Sequence, residues 1–244
     1  MEKYILKIKL LSDTIFSGGE SIVSISDIDE LYDDYKIPYY KGKSVKGNIR
    51  ESAELIIENQ KKFDEEKAKQ NEEIVKTLFG KTFLSNEYSE EDEKNKEEKE
   101  KKDLYRDDQT QGILRFENAS LEEDLKQNLK YLVDKKIITK DEIINSLTDI
   151  RYATKIDRKY GTAEKGSLRS MRVLNKGITF SANIYSERDL TEDELALLLC
   201  AVKSTRHVGT LRSRGKGQVE CTLLSERINL DDKNIEKLVK KAVG

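Results

Sequence analysis

The chain has 244 residues, of which 38% are charged and 36% hydrophobic, and its formal net charge is −2. This length allows one large domain with insertions. No apolar run approaches the roughly 18 residues that a membrane span needs, so we expect no membrane partner. The N-terminus alternates like a strand and lacks the apolar region of a signal peptide. Cys200 and Cys221 have no CxxC partner, and buried free thiols in the cytoplasm are expected.

The near-neutral net charge conceals a separation of charge along the chain. Residues 151–217 carry 14 Lys and Arg against 7 Asp and Glu, whereas residues 61–108 carry 12 against 16. A basic region beside an acidic one is more typical of a polyanion-binding face than of a uniform surface.

The first half of the chain contains one predicted strand and two predicted helices. Apolar residues alternate from Tyr4 to Leu10, which indicates a strand. Ser44 is predicted to N-cap a helix that runs to about residue 60. A charged insertion is predicted over residues 61–108, beginning with an amphipathic helix. Residues 90–102 have 12 charged side chains among 13, which indicates a disordered loop or a solvated helix.

The second half alternates strands and helices. Capping boxes begin at Thr139 and Thr191, and the second precedes an apolar helix. Strands are predicted at 112–116, 178–185 and 218–224, and a C-terminal helix within 226–244. The order strand, helix, strand, strand, helix, strand predicts a single domain over 1–244. We expect it to be α+β, with a ferredoxin-like (RRM-like) core and long insertions.

The most informative segment is a basic, glycine-rich loop at residues 208–219. Glycine lets a backbone take positive φ and approach a ligand closely, and arginine and lysine donate charge-assisted hydrogen bonds to phosphate. The loop therefore predicts a cradle for a phosphate backbone, although a mobile basic loop would look similar. The residues concerned are Gly209, Gly215, Gly217, Arg212, Arg214 and Lys216, with Arg206 just before them.

Two further basic segments match this loop in character. At residues 41–50, cations surround a predicted helix N-terminus, where free N–H groups favour phosphate. The P-loop spacing is absent, and an ordinary capped helix with solvated lysines is the alternative. Residues 151–177 are predicted to form a hairpin that lies against a nucleic-acid strand, or else a surface loop. The predicted RNA-binding residues are Lys41, Lys43, Ser44, Lys46 and Arg50 in the first segment, and Lys155, Arg158, Lys159 and Arg169 in the second.

Four segments resemble the RAMP superfamily, the RNA-binding subunits of CRISPR effector complexes. Residues 41–50 (KGKSVKGNIR) resemble that family's PGSSLKGxxR motif, and residues 156–163 (IDRKYGTA) resemble IDRxTGxA. Residues 213–219 (SRGKGQV) resemble the C-terminal SRGxGxV loop, and residues 112–119 (GILRFENA) are similar to a G.LxFSDA strand. The matches run in the family's order and lie within residues 1–225. Lys41 and Lys43 replace a Pro and a Ser of the family's first motif.

The combination is most similar to the backbone subunit of type III interference complexes. That resemblance implies copies stacked along a guide RNA, other complex subunits as partners, and a hairpin thumb that interrupts pairing with complementary target RNA. It also implies that an Asp in the loop after the first strand cleaves target RNA with a divalent metal ion, Mg²⁺ or Mn²⁺. Asp29 fits this catalytic and metal-binding position best, and Asp27 is the runner-up.

Other interpretations of these residues stay open from the sequence alone. The Pro-Val that follows the family's Asp is missing after Asp29, and the aspartates could be solvated turn residues. A non-catalytic RNA-binding scaffold of the same complex is then the expected function. The lone His207 beside the glycine loop suggests a third possibility, a RAMP-type endonuclease that processes guide RNA.

Overall fold

In a computed structural model, residues 2–16, 30–81, 111–225, 227 and 232–243 are described. The strands are β1 (Glu2–Leu10), β2 (Tyr39–Tyr40), β3 (Leu114–Phe116), β4 (Ala119–Leu121), β5 (Thr148–Ala153), β6 (Arg169–Leu174), β7 (Thr179–Ser186) and β8 (Val219–Ser225). The helices are α1 (Gly42–Gln60), α2 (Glu65–Phe79), α3 (Glu123–Asp134), α4 (Lys140–Leu147), α5 (Glu192–Ser204) and α6 (Asp232–Val243). The predicted α+β class is confirmed.

The main sheet is antiparallel, and its strands lie in the order β2-β4-β7-β1-β8, with β3 also paired to β7. Strands β1 and β4 therefore point the same way on either side of β7, and α1 lies between them in the chain. Strands β7 and β8 likewise point the same way on either side of β1, and helix α5 lies between them in the chain. The order of these strands and helices along the sequence is the order from which a ferredoxin-like core is predicted.

One hydrophobic cluster joins the sheet to its helices. The even-numbered residues of β1, Tyr4 to Leu10, are at most 1% exposed, whereas the alternate positions are half-buried or exposed. The cluster also contains Ile49 of α1, Phe180 of β7 and Leu198 of α5. The helices thus cover one face of the sheet. Within the described ranges, no helix combines the length and the apolar character that a bilayer span requires.

Helix α2 contributes to this core although it begins the predicted charged insertion. Asp64 accepts a hydrogen bond from the Lys67 backbone at the helix start, and Leu78 and Phe79 are buried near its end. Gly80 then forms a β-bridge with Gln111, which holds together the two ends of the segment between them. The charged stretch at residues 90–102 lies outside the described residues.

The predicted start of α1 is wrong by three residues, since the N-cap position is Lys41 and not Ser44. Ser44 does not cap the helix, which begins at Gly42 after Lys41. The Gly42 N–H donates to the Asn118 side-chain oxygen at 2.8 Å, and a side chain at Gly42 would collide with the Phe116 carbonyl oxygen. The helix start is therefore set by packing against the β3–β4 turn, a contact that local sequence does not reveal.

Both predicted capping boxes are confirmed. Thr139 with Glu142 opens α4, and Thr191 with Glu194 opens α5. Glu194 also pairs with Arg188 at 2.6 Å. These local signals succeed because a capping box involves residues only three positions apart.

Candidate nucleic-acid interface

The glycine loop folds back onto the segment that follows β1. The Gly217 N–H donates to the Asp13 carbonyl at 2.9 Å, and the Thr210 N–H donates to the Ile15 carbonyl at 3.1 Å. Gly209 and Gly217 have φ of +74° and +76°, and a side chain at either would collide with a backbone carbonyl oxygen. Both glycines are thus required by conformation and by space.

The middle of the loop has different properties from its ends. Arg212 to Arg214 form a 3₁₀ turn that is exposed to solvent. Gly215 has φ of +73° but open space around it. The loop is consequently fixed at both ends and presents its centre to solvent, as expected for a cradle that approaches an extended ligand.

Arg212 joins the loop to α1 and is not a free cation. Its guanidinium donates to Asn48 Oδ1 at 3.0 Å and to Glu51 Oε2 at 2.9 Å. Asn48 in turn donates to the Tyr40 hydroxyl at 2.8 Å, and the Gly209 N–H donates to the same oxygen at 3.4 Å. Asn48 and Tyr40 are 8% and 5% exposed. This buried chain of hydrogen bonds sets the position of the loop relative to α1.

Lys216 is also engaged, on the opposite side of the loop. Its ammonium donates to Asp13 Oδ2 at 3.0 Å, and Arg151 of β5 donates to the same oxygen at 3.0 Å. Burial alone would raise the pKa of Asp13, but these two hydrogen bonds outweigh it and hold the pKa below its usual value. Lys216 therefore forms part of a structural contact.

Arg214 differs from both neighbours. In the described part of the chain, no carboxylate pairs with its guanidinium, and the side chain is exposed. Of the three cations in the loop, it is the one that is placed to meet an external phosphate.

The start of α1 presents a second group of cations. Lys41 and Lys43 are exposed, and Lys46 and Ser44 are half-buried. Burial lowers the pKa of Lys46, and nearby Arg50 lowers it further. A cavity of about 430 Å³ at this helix start is lined by Gly42, Lys43, Lys46, Phe79, Arg115 and Phe116, among others.

Arg50, at the end of this motif, has a structural role. Its guanidinium donates to Glu54 at 2.7 Å and to the Gly80 carbonyl at 3.0 Å. It therefore ties α1 to the end of α2.

The predicted hairpin is formed by β5 and β6, which pair with each other in a separate two-stranded sheet. Its tip is built by Asp157, whose side chain accepts from the Lys159 N–H at 2.7 Å and from the Tyr160 N–H at 3.3 Å. Gly161, with φ of +66°, closes the turn with a hydrogen bond to the Asp157 carbonyl. This turn projects Arg158, Lys159 and Tyr160 into solvent, and Tyr160 is 68% exposed.

A cavity of about 370 Å³ lies between the glycine loop and the part of the hairpin that connects the paired strands to the tip. Its charged lining residues are Lys155, Glu164, Lys165, Arg169 and Arg214. Glu164 pairs with Lys155 at 2.8 Å, which leaves a surplus of three positive charges around the cavity. The two predicted phosphate-binding segments thus meet here, although 45 residues separate Arg169 from Arg214 in the sequence.

Sequence reasoning missed the residues that connect these segments. Tyr40 and Asn48 lie within or beside the first motif, but nothing local marks them as partners of the glycine loop. Lys165 lies in the hairpin, and nothing in the sequence distinguishes it from the neighbouring cations. Asp13 and Arg151 carry no motif at all, and only the tertiary structure pairs them.

The candidate catalytic residues differ from the basic segments in their relation to the described part of the chain. Asp27 and Asp29 lie outside the described residues, and so does the metal position assigned to Asp29. Phe16 and Glu30, which bracket that segment, are joined by a hydrogen bond of 2.7 Å from the Phe16 N–H to Glu30 Oε2. Elsewhere in the described ranges, no three His, Cys, Asp or Glu side chains are grouped as a metal site would require.

The competing catalyst, His207, is exposed at the start of the glycine loop. Its backbone forms a β-bridge with Gln218. No carboxylate contacts its imidazole within the part of the chain that the structure describes. Arg206 beside it is also exposed.

The fold is α+β, and it brings three basic segments together. The family model of the RAMP superfamily matches residues 7–220, and the chain belongs to this superfamily. No curated protein matches the chain.

Two solved structures have a similar fold. One is a chain of the apo-state cryo-EM structure of the type III-B Cmr-beta complex, with 14% identity and a TM-score of 0.56, covering 93% of this chain and 99% of that one. The other belongs to Cmr-beta bound to cognate target RNA, with 13% identity and a TM-score of 0.58, covering 98% and 99% respectively. At these identities the similarity concerns the fold.

Proposed function

We propose that the chain is a guide-RNA-binding backbone subunit of a type III CRISPR effector complex that acts in the cytoplasm. The observation that carries this proposal is that the α1 start, the glycine loop and the hairpin, which together we call the basic face, are joined in the fold. These segments are far apart in sequence but are connected through Arg212, Asp13 and the cavity beside Arg214. Family membership and the fold shared with chains of Cmr-beta, one of them from the complex bound to cognate target RNA, support the assignment.

The proposed ligand follows from the chemistry of this face. Exposed cations alternate with tight turns, which suits a flexible, phosphate-rich strand. Tyr160 at the hairpin tip offers an exposed ring on which a base can stack. We assign guide RNA to the α1 start and the glycine loop, and place the hairpin where guide and complementary target RNA meet. Copies of the same chain would continue this face along the guide, beside other complex subunits.

We further propose that the subunit cleaves the bound target RNA with a divalent metal ion, Mg²⁺ or Mn²⁺, and that Asp29 holds this ion. The support is the resemblance of the sequence around Asp29, since the residue lies outside the described ranges. A divalent ion at this position would stabilise the charge that develops on the scissile phosphate. The rival functions are a scaffold without cleavage and guide processing through His207.

The RNA assignment predicts different roles for the arginines of the glycine loop. Arg214→Ala should weaken RNA binding and reduce the slope of log affinity against log salt by about 0.7, the value for one lost single-strand phosphate contact. Lys69→Ala is a matched control, because it removes an exposed cation from α2, where it pairs with Glu65. Filter binding of a single-stranded RNA over a salt series measures both. An unchanged slope in Arg214→Ala would contradict the assignment.

A further inference from the structure

We infer that Asp13 is a positioning residue that fixes the hairpin against the glycine loop, so that RNA meets the two elements in one prearranged geometry. The inference rests on the proposed RNA-binding function. Its orientational part concerns the protein alone and can be measured without RNA.

The geometry places Asp13 between the two elements. Its Oδ2 accepts hydrogen bonds at 3.0 Å from Arg151 of β5 and at 3.0 Å from Lys216 of the glycine loop. Its backbone carbonyl accepts the Gly217 N–H at 2.9 Å. Asp13 thus contacts both the hairpin and the glycine loop through its side chain. It also contacts the glycine loop through its backbone.

Burial makes this contact stronger than an ordinary surface ion pair. The side chains of Asp13 and Lys216 are 18% and 22% exposed, and Arg151, the other partner of Asp13, is 47% exposed. By contrast, the second pair of Arg151, with Asp149, joins groups that are 47% and 53% exposed. Exposed pairs are screened by water and salt, whereas partly buried, charge-assisted hydrogen bonds retain more of their strength. Asp13 is therefore the dominant ionic partner on both sides.

The remaining attachment of the hairpin lies at its base. Leu174 forms a β-bridge with Thr14, and Met171 and Val173 pack on Ile15 with Leu211 beside them. Arg151 lies on β5, the other strand of the hairpin, directly across from Met171 of β6. The base contacts hold β6, whereas β5 is held by Ala153, which packs on the same cluster, and by the Asp13–Arg151 hydrogen bond. Together they fix the direction in which the hairpin tip points.

A fixed hairpin has a thermodynamic consequence for the ligand. RNA that is held by Arg214 meets a hairpin already in position, so ordering it costs no further free energy. Without Asp13 the cost of ordering the hairpin falls on RNA binding, so Asp13→Asn should weaken the contribution of contacts at the hairpin tip.

The orientational part is tested by double electron–electron resonance on the RNA-free chain, with spin labels at Thr162→Cys in the hairpin and Glu58→Cys on α1. The native Cys200 and Cys221 are buried, which raises their pKa to about 11 and about 12, so they resist labelling. We expect a narrow distance distribution that widens in Asp13→Asn. Glu164→Gln, which removes the exposed pair with Lys155, should leave it unchanged. Equal widths for the parent and the Asp13→Asn variant would overturn the inference.

The cost of ordering is tested by a double-mutant cycle of RNA affinity, using Asp13→Asn and Arg158→Ala at the tip. Asp13→Asn should lower RNA affinity about fivefold more in the parent chain than in the Arg158→Ala background, where the tip contact that needs an ordered hairpin is already lost. The charge that Asp13→Asn removes is the same in both backgrounds and cancels. Equal effects in the two backgrounds would overturn the inference alone, whereas absence of RNA binding by every protein would overturn the proposed function.

Discussion

Asp29→Ala is expected to lower cleavage of complementary RNA by about 100-fold or more, while guide and target binding survive. A carboxylate that holds a divalent ion at the scissile phosphate acts mainly on the transition state. A single carboxylate contributes little to a basic RNA-binding face, so affinity should be nearly unchanged. Gel analysis of the cut products from guide-loaded complex, with a filter-binding assay in parallel, separates the two effects. EDTA should reproduce the loss of cleavage.

Three controls decide between the rival functions. Asp34→Ala removes an exposed carboxylate nearby in the sequence and should cut normally. If Asp29→Ala cuts normally and Asp27→Ala does not, the runner-up carries the reaction. If both cut normally and His207→Ala does not, the metal-dependent proposal is wrong and the histidine mechanism stands. A parent complex that binds target RNA and leaves it intact would be a scaffold.

Gly217→Ala should destabilise the protein by at least about 2 kcal/mol, and Gly215→Ala by about 1 kcal/mol. Both residues have positive φ, of +76° and +73°, so each alanine bears the cost of a left-handed backbone. Only at Gly217 would the new side chain also collide with the Val208 carbonyl oxygen. For a chain of this size, the larger loss corresponds to a melting temperature lower by roughly 4–8 °C.

The comparison between these two glycines is its own control, since the substitution and the backbone conformation are the same. Thermal unfolding monitored by circular dichroism gives both values. Equal melting temperatures for the two variants would show that the close approach of Gly217 to Val208 does not hold the loop. A larger loss at Gly215 would contradict the exposed, open setting described for the centre of the loop.

Local sequence signals predicted the elements that depend on nearby residues. The alternation in β1 and the two capping boxes correspond to structure that forms within a few positions of the chain. The start of α1 could not be placed in this way, because Gly42 is held by Asn118 and by the β3–β4 turn. That contact depends on strands that are more than 70 positions away.

The candidate site shows the same division. The sequence identified the three basic segments, because composition and glycine spacing are local properties. It did not distinguish the cations that face solvent from those with internal partners. Arg212 and Lys216 look like Arg214 in the sequence, yet Glu51, Asn48 and Asp13 neutralise or anchor them. Which charges remain for RNA is decided by tertiary contacts.

Photo-crosslinking tests the central claim most directly. A single-stranded RNA with photoreactive bases is bound to the purified chain, irradiated and mapped by mass spectrometry to the peptides it touches. The account predicts crosslinks at the α1 start, the hairpin tip around Tyr160 and the loop around Arg214, and none on the exposed side of α2. Crosslinks that concentrate on α2, or that are spread evenly over the surface, would contradict an RNA-binding face built from these three segments.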